Sequence, residues 1–322
     1  MMMNNQEKLV FGIDIGGTTV KCGLLTESGT LIKKDEIPTR KDNGGSLILD
    51  DIAEYINKVI AEDNIDRDNI CGIGMGVPGA VKDDGTVNRC VNLGWGVFNA
   101  AEVMTDKMKL PVFVGNDANM AALGEYWQGG AKGFDNLVFV TIGTGVGGGV
   151  IIDGKPVNGN NGAAAEIGHM PIAQDETEYC NCGKKGCLEQ VASASGIVRV
   201  ATRMLNASEE PSSLRKVQYM SAKAVFDEAK AGDGLAVRIV EYVSDYLAKG
   251  LACAACMTDP EVFVIGGGVS AAGQYFIDKI KKYYRQYAFH ASRETDIILA
   301  ELGNDAGMYG AAKLCLSRLN SN

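Results

Sequence analysis

Long apolar runs, prolines and histidines are scarce in this chain of 322 residues. It has 7 prolines and 2 histidines, and it lacks a stretch of about 18 apolar residues, the length that crosses a bilayer as a helix. The longest candidate, residues 137–152, is interrupted by five glycines. The N-terminus also lacks the basic and then apolar pattern of a signal peptide. We therefore expect a cytoplasmic protein that does not enter the membrane.

Positive charge is in deficit, because 31 Lys and Arg residues face 40 Asp and Glu residues and give a formal net charge of −9. An acidic chain is a poor partner for a nucleic-acid backbone, so we exclude that class of ligand. Hydrophobic residues make up 46% of the chain and charged residues 22%, which excludes a disordered chain. At about 150 residues per domain, the length indicates two domains.

Glycine is in excess: 41 of 322 residues, about 13%, against about 7% in an average protein. The prolines are few and a Gly-X-Y period is missing, so the chain is neither collagen-like nor a Pro/Gly linker. Three glycine clusters each follow an apolar stretch that is typical of a buried strand. They are Gly16-Gly17-Thr18-Thr19, Gly143-Thr144-Gly145-Val146-Gly147-Gly148-Gly149 and Gly266-Gly267-Gly268-Val269-Ser270.

Glycine clusters in such positions let the backbone approach a phosphate, and successive N–H groups form an anion-binding nest. Thr18, Thr19 and Thr144 add hydroxyl donors, and Asp14 precedes the first cluster, where it would hold a hydrated Mg²⁺. A Walker A pattern is missing, and the G-x-G-x-x-G match at Gly143 is followed by a strand pattern instead of a helix. The clusters therefore predict nucleotide binding of another kind, with plain hairpin turns as the alternative.

Apolar periodicity predicts an α/β fold whose first half is repeated in the second. We expect strands at Leu9–Ile15 and Ile70–Val77 and helices at Leu47–Ala61 and Asp233–Met257. The order strand, glycine turn, strand, turn recurs at an offset of about 128 residues, which indicates two similar lobes. A chance resemblance between two hairpins is the alternative.

Three of the nine cysteines are close together, at Cys180, Cys182 and Cys187, and His169 lies eleven residues upstream of them. Two glycines in this stretch allow a tight loop that brings the sulfurs together. Three thiolates and an imidazole are a tetrahedral ligand set for structural Zn²⁺. A redox-active or merely buried set of thiols is the alternative.

Carboxylates flank these motifs. Asn116-Asp117 follows a short strand at Pro111–Gly115, and the carboxyl end of a strand is where α/β folds place ligands. Asp117 could accept the proton of an alcohol or could simply cap the helix that it opens. Glu166 and Glu189 lie beside the histidine and the cysteines, where they could bind sugar hydroxyls.

These motifs together resemble the ROK (repressor, ORF, kinase) family over about residues 9–316. The resemblance is carried by Glu166-Ile167-Gly168-His169, by Cys180-Asn181-Cys182-Gly183-Lys184-Lys185-Gly186-Cys187-Leu188-Glu189, and by the three glycine clusters. It implies a two-lobed, actin-like ATPase (ribonuclease H-like) fold of the α/β class. The expected lobes are residues 1–118 with 306–322, and residues 119–305. A homodimer is implied by the family alone.

The resemblance also implies ATP-dependent phosphorylation of a sugar, with glucose favoured. Asp117 would be the general base, and the 6-hydroxyl of the sugar would be the acceptor. The implied sugar-binding residues are Asn92, Asn116, Asp117, Glu166, His169 and Glu189. The implied nucleotide-binding residues are Asp14, Gly16, Gly17, Thr18, Thr19, Thr144, Gly145, Gly267 and Gly268.

Two alternatives stay open within the same family. Other members phosphorylate N-acetylmannosamine, N-acetylglucosamine, fructose or allose. The segment Asn92-Leu93-Gly94-Trp95 with Asn99, together with the glutamate and histidine pair, favours glucose. Sugar-responsive repressors carry an N-terminal DNA-binding segment. The first glycine cluster lies too close to the N-terminus for one, and the net charge is −9, so we expect an enzyme.

Overall fold

A computed structural model describes residues 7–320, which form two compact units. The first unit takes the described residues up to Gly133, the segment Lys155–Ala164, and the residues from Asn304 onward. The second takes Phe134–Gly154 and Ala165–Gly303. Within the described residues, no helix is both long and apolar enough to cross a membrane.

The first unit contains a five-stranded sheet in the order β3-β2-β1-β4-β7 and a small antiparallel pair, β5 with β6. β1 pairs antiparallel with β2 and parallel with β4, and β7 continues the parallel part. β1 and β4 have the bounds expected from the sequence. The strands are β1 (Leu9–Ile15), β2 (Thr19–Thr26), β3 (Leu31–Pro38), β4 (Ile70–Val77), β5 (Thr86–Val87), β6 (Phe98–Asn99) and β7 (Val112–Asn116).

The C-terminal helix packs closely on both the sheet and α4, and glycines make this possible. A Cβ at Gly74 of β4 would collide with the backbone carbonyl of Ala311, and one at Gly310 would collide with that of Met120. The helices of this unit are α1 (Asp42–Gly45), α2 (Ile48–Glu62), α3 (Ala100–Met108), α4 (Asp117–Gln128) and α10 (Ala306–Leu319). Because α4 packs on α10, residues 119–133 lie in the first unit, whereas the expected boundary assigned them to the second lobe. Residues 155–164 differ from that expectation in the same way.

The second unit repeats the strand order of the first. Its strands run in the order β9-β8-β11-β12, again with a central strand that pairs antiparallel with its hairpin partner and parallel with the next strand. The repeated pattern in the sequence predicts this arrangement. The strands are β8 (Leu137–Ile142), β9 (Val146–Ile152), β11 (Val262–Gly266) and β12 (Asp296–Leu299). The two-residue strand β10 (Lys155–Pro156) falls in a segment of the first unit.

The helices of the second unit bury their apolar faces around the long α8, whose buried residues recur at helical spacing. They are α5 (Glu189–Ala192), α6 (Ala194–Asn206), α7 (Ala222–Lys230), α8 (Gly234–Thr258) and α9 (Gln274–Tyr287). α9 begins at Gln274, because Gly273 has a φ of 70° and ends a 3₁₀ turn, Gly268–Ala272. The other 3₁₀ turns are Arg67–Asn69, Val91–Leu93, Ile167–His169, Ser213–Lys216, His290–Ser292 and Gly303–Asp305.

Candidate active site and metal centre

The first glycine cluster is a braced loop between β1 and β2. Within it, the N–H of Gly16 donates to the carbonyl of Thr19 at 3.0 Å. Thr39, just after β3, donates its hydroxyl to the carbonyl of Gly16 at 2.8 Å and its N–H to the carbonyl of Thr18 at 2.9 Å. Gly17 lies at the half-buried turn between them, and the side chain of Thr18 is exposed at the tip. The loop is therefore held from one side and open on the other.

Asp14 lies on β1 beside this loop, with its carboxylate packed against Gly307 at the start of α10. The Nζ of Lys21 lies 3.7 Å from its Oδ2 atom. Burial raises the pKa of Asp14, and the positive charge of Lys21 opposes that rise only in part. The fold therefore keeps a carboxylate, the ligand type that Mg²⁺ prefers, in a place where ionising it has a cost.

Asn116 and Asp117 divide two tasks at the start of α4. The side chain of Asn116 caps the helix: its Oδ1 accepts from the N–H groups of Ala118 at 2.9 Å and Asn119 at 3.1 Å. Its Nδ2 donates to the carbonyl of Gly79 at 2.9 Å and to Oδ1 of Asp117 at 3.0 Å. The N–H of Ala118 also donates to that oxygen, at 2.8 Å. The cap is thus Asn116, and Asp117 is oriented by its neighbours.

Asn92 is exposed in the 3₁₀ turn Val91–Leu93. The turn is fixed by Trp95, whose ring N–H donates to the carbonyl of Gly45 at 2.9 Å. Asn99 has a structural task, since its side chain accepts from the N–H of Glu102 at the start of α3 and donates to the carbonyl of Asp84. Among the residues whose pattern favours glucose as the substrate (Asn92–Trp95 and Asn99), only Asn92 has an exposed polar side chain.

In the second unit, the second and third glycine clusters meet at one cavity of about 570 Å³. Gly267 of the third cluster packs so closely on the backbone of Ile142, just before the second cluster, that any side chain at this position would clash. Thr144 is exposed at the tip of its loop, as Thr18 is in the first unit. The cavity is lined by Gly143, Thr144, Ala194, Ser221, Ala222, Lys223, Phe226, Asp227, Lys230, Gly268, Val269, Ala271 and Ala272.

The three cysteines and His169 form a compact cluster in the same unit. One ligand atom from each lies within 4.8 Å of all the others. The Sγ atoms of Cys182 and Cys187 are 3.5 Å apart, and Sγ of Cys180 lies 3.8 Å from Nδ1 of His169. Zinc bonds of about 2.0–2.3 Å place tetrahedral ligands about 3.5–3.8 Å apart, so donor types and spacing both fit Zn²⁺.

Two carboxylates flank the cluster. Glu189 places Oε1 3.0 Å from Sγ of Cys180 and 3.8 Å from Nδ1 of His169. Glu166 is exposed, with Oε2 3.9 Å from Nε2 of His169. One ring nitrogen of His169 therefore faces the sulfurs, and the other faces an exposed carboxylate.

The cysteine thiols differ in their surroundings. Burial raises the pKa of Cys180 and of Cys187, whereas the backbone N–H of Lys184 lowers the pKa of the exposed Cys182. Thiolates are the metal-binding form, so a cation at this cluster has to displace protons from the two buried sulfurs.

The predicted residues therefore fall into local groups. In the first unit, Asp14 adjoins the first glycine loop, and Asn116 holds Asp117. In the second unit, Thr144 and Gly268 line the cavity, whereas Gly267 packs against the backbone of Ile142 and Gly145 lies beside Glu189. Glu166 and Glu189 flank the cluster. The sequence motifs did not indicate a role for Thr39, Lys21 or the cavity residues of α7, because contacts made at long sequence separation leave no motif. The one available signal was the helical spacing of Ala222 and Phe226.

Comparison with known proteins places the whole chain in one family. A family model described as the ROK family matches residues 10–318. A glucokinase from Halalkalibacterium halodurans is 41% identical over 96% of each chain. Among solved structures, a ROK family glucokinase from Streptomyces griseus in complex with glucose and AMPPNP is 33% identical, with a TM-score of 0.74 over 95% of this chain and 98% of that one.

A second solved structure, the ROK hexokinase from Thermus thermophilus, is 30% identical and has a TM-score of 0.82 over 98% of this chain and all of that one. These structures confirm the actin-like ATPase fold expected from the sequence. The family model and these relatives each match nearly the full length of this chain. The chain belongs to the ROK family.

Proposed function

We propose that this protein is a glucokinase, which transfers the γ-phosphoryl group of ATP to the 6-hydroxyl of glucose with Asp117 as the general base. Its relatives make it an ATP-dependent hexose kinase. The choice of glucose is supported by the glucokinase of Halalkalibacterium halodurans and by the sugar bound to the Streptomyces griseus enzyme. The role of Asp117 is supported by its local geometry.

The division of tasks between Asn116 and Asp117 is the observation that carries the assignment of the base. Because Asn116 caps α4, the helix does not need the carboxylate of Asp117 for that purpose. Two donors hold Oδ1 of Asp117, which restricts the rotation of the carboxylate. In the reaction, the carboxylate accepts the proton of the 6-hydroxyl as that oxygen attacks the γ-phosphorus, and ADP leaves with the electron pair of the broken bond.

The cavity of the second unit is our candidate for the nucleoside of ATP. Its wall combines the apolar side chains of Phe226, Ala222 and Val269 with the exposed backbone of Gly268. An aromatic and aliphatic wall beside exposed glycine backbone suits a planar base followed by phosphates. With the nucleoside in this cavity, Thr144 would lie where the phosphates of ATP extend out of it.

Two metal ions complete the proposal. Asp14 would hold hydrated Mg²⁺, which neutralises charge on the phosphates. His169, Cys180, Cys182 and Cys187 would hold Zn²⁺, which when bound cross-links the loop that carries them. Glu166, His169 and Glu189 would bind the sugar hydroxyls, with Asn92 and Asn116 in support.

A coupled ADP-release assay tests the proposal. Initial rates would be compared for glucose, fructose, allose, N-acetylglucosamine and N-acetylmannosamine at matched concentrations. We expect the highest kcat/KM with glucose, with the product phosphorylated at the 6-position by NMR. A higher kcat/KM with an N-acetylated sugar would reject glucose while leaving the kinase class in place, and ADP release with none of the sugars would reject the enzyme.

A further inference from the structure

We propose that Gln190 is a positioning residue that couples the cysteine loop to the second glycine loop through the short helix α5. The cysteine loop is defined as Ala173–Cys187, and the second glycine loop as Gly143–Gly149. All of these residues belong to the second unit. The inference rests on the proposed role of the second glycine loop in binding the nucleotide phosphates.

Gln190 ties two separate parts of the cysteine loop to α5. Its side chain is almost fully buried, with 4% of the residue exposed. Oε1 accepts from the N–H of Cys187 at 3.0 Å, and Nε2 donates to the carbonyl of Glu178, also at 3.0 Å. Because both halves of a buried amide are used, a shift of the loop breaks at least one of these bonds.

Arg199 of α6 strengthens the same connection. Its guanidinium donates to the carbonyl of Gln190 and, at 3.2 Å, to Oε2 of Glu178. The peptide of Gln190 and the segment around Glu178 are thus held from a second helix. The cysteine loop therefore has a protein scaffold in addition to any metal ion.

Two residues, Glu189 of α5 and Ala194 of α6, contact the second glycine loop. The N–H of Ala194, the first residue of α6, donates to the carbonyl of Gly143 at 2.8 Å. Glu189, the first residue of α5, accepts from the N–H of Val146 through Oε2 at 3.4 Å. Glu189 and Gln190 are consecutive residues of α5 (Glu189–Ala192), and Ala194 begins α6 after Ser193, so all of these contacts are made by residues 189–194.

A ligand that orders the second glycine loop must then also order the cysteine loop. Coupling between two sites is reciprocal, because it is one free energy shared by both. Binding of a nucleotide at Gly143–Gly149 should therefore protect residues 174–187, and a disturbed cysteine loop should weaken nucleotide binding. Gln190 carries the part of this coupling that reaches Cys187 and Glu178, while the carboxylate of its neighbour Glu189 contacts Cys180 directly.

Hydrogen exchange read by mass spectrometry tests the coupling, with AMPPNP as the probe and no sugar present. In the unmodified protein, we expect AMPPNP to slow exchange in peptides from both 143–149 and 174–187, by about fivefold or more. In Gln190→Leu, we expect the protection of 143–149 to persist and that of 174–187 to be reduced, because only the contact of Glu189 with Cys180 still joins the two loops. Gln174→Leu, an exposed glutamine of the same loop, is the matched control and should behave as the unmodified protein.

The outcomes separate this inference from the proposed function. If the unmodified protein binds AMPPNP and protects only 143–149, or if Gln190→Leu keeps the protection of 174–187, the coupling through Gln190 is wrong. If AMPPNP leaves both peptides unprotected, the proposed nucleotide site fails and the inference fails with it. A lower Tm of Gln190→Leu with unchanged AMPPNP-dependent protection would assign Gln190 a structural role only.

A second variant covers the case in which Gln190→Leu does not fold. Gln190→Glu keeps the acceptor for the N–H of Cys187 and removes the donor to the carbonyl of Glu178. It should retain part of the AMPPNP-dependent protection, concentrated in the part of the loop nearer Cys187. Full protection across 174–187 in this variant would contradict the role of the Glu178 bond.

Discussion

Removal of the Thr39 hydroxyl should weaken ATP binding while leaving the fold in place. Thr39→Val keeps the shape of the side chain and the backbone bond from the N–H of residue 39 to Thr18, and it deletes the 2.8 Å hydrogen bond to the carbonyl of Gly16. The first glycine loop then loses one of its two external braces. The loop carries Thr18 and Thr19, which we propose to contact the phosphates.

The size of this effect follows from the single bond that is lost. A neutral hydrogen bond has a net value of about 1 kcal/mol, and Gly16 is half-buried, so water can partly replace the missing partner. If this free energy normally keeps the loop in its binding conformation, its loss of about 1 kcal/mol corresponds to an increase of about fivefold in the KM for ATP. The KM for glucose should change by much less.

Steady-state kinetics with ATP and glucose varied in turn provide the measurement. Thr39→Ser, which keeps the hydroxyl, is the control and should retain the KM for ATP of the unmodified protein. A lower Tm for Thr39→Val with an unchanged KM for ATP would refute the argument, because it would show that the hydroxyl stabilises the fold without positioning the loop.

Three further predictions concern other parts of the two units. Asp14→Asn should abolish turnover without lowering Tm at neutral pH. Because burial raises the pKa of Asp14, ionising it lowers the free energy of unfolding as the pH rises from the unfolded pKa through the folded pKa, and this loss is complete at higher pH. A large decrease in Tm would contradict this sign. Gly310→Ala should lower the free energy of unfolding in urea by about 1–3 kcal/mol, because the new Cβ meets the carbonyl of Met120; unchanged stability would contradict the close packing. Cys182→Ser should lower bound zinc, measured by elemental analysis, below one per chain, while Cys253→Ser, an exposed cysteine outside the cluster, should not; full zinc retention in Cys182→Ser would exclude it as a ligand.

Strand positions and the glycine loops were predictable because they depend on local patterns. Leu9–Ile15 and Ile70–Val77 are continuous apolar runs that end at turn residues, and both strands have those bounds in the structure. The repeat at an offset of about 128 residues likewise gave the common strand order of the two sheets. Local pattern also placed the helix after Asn116, although it left open whether Asp117 caps this helix or accepts a proton, and the cap is in fact Asn116.

Contacts set by tertiary register were not predictable. Thr39 reaches the first glycine loop because β2 and β3 pair with Thr19 opposite Pro38, a register that the sequence does not specify by itself. The contacts of Gln190 were not predictable for a similar reason, because the carbonyl of Glu178 that accepts its hydrogen bond lies twelve residues away across the cysteine loop. Part of the glycine excess also has a role that clusters do not reveal, because Gly74 and Gly310 permit close helix packing.

The central claim is that Asp117 accepts the proton of the sugar hydroxyl, and the turnover of Asp117→Asn tests it most directly. The amide keeps the size of the side chain, so glucose binding measured by calorimetry should stay close to that of the unmodified protein. The kcat for ADP release should fall by about 10²–10⁴-fold, the usual contribution of a positioned base. Asp106→Asn, an exposed aspartate on α3, is the control and should keep full activity. A kcat for Asp117→Asn within a few fold of that of the unmodified protein would contradict the account.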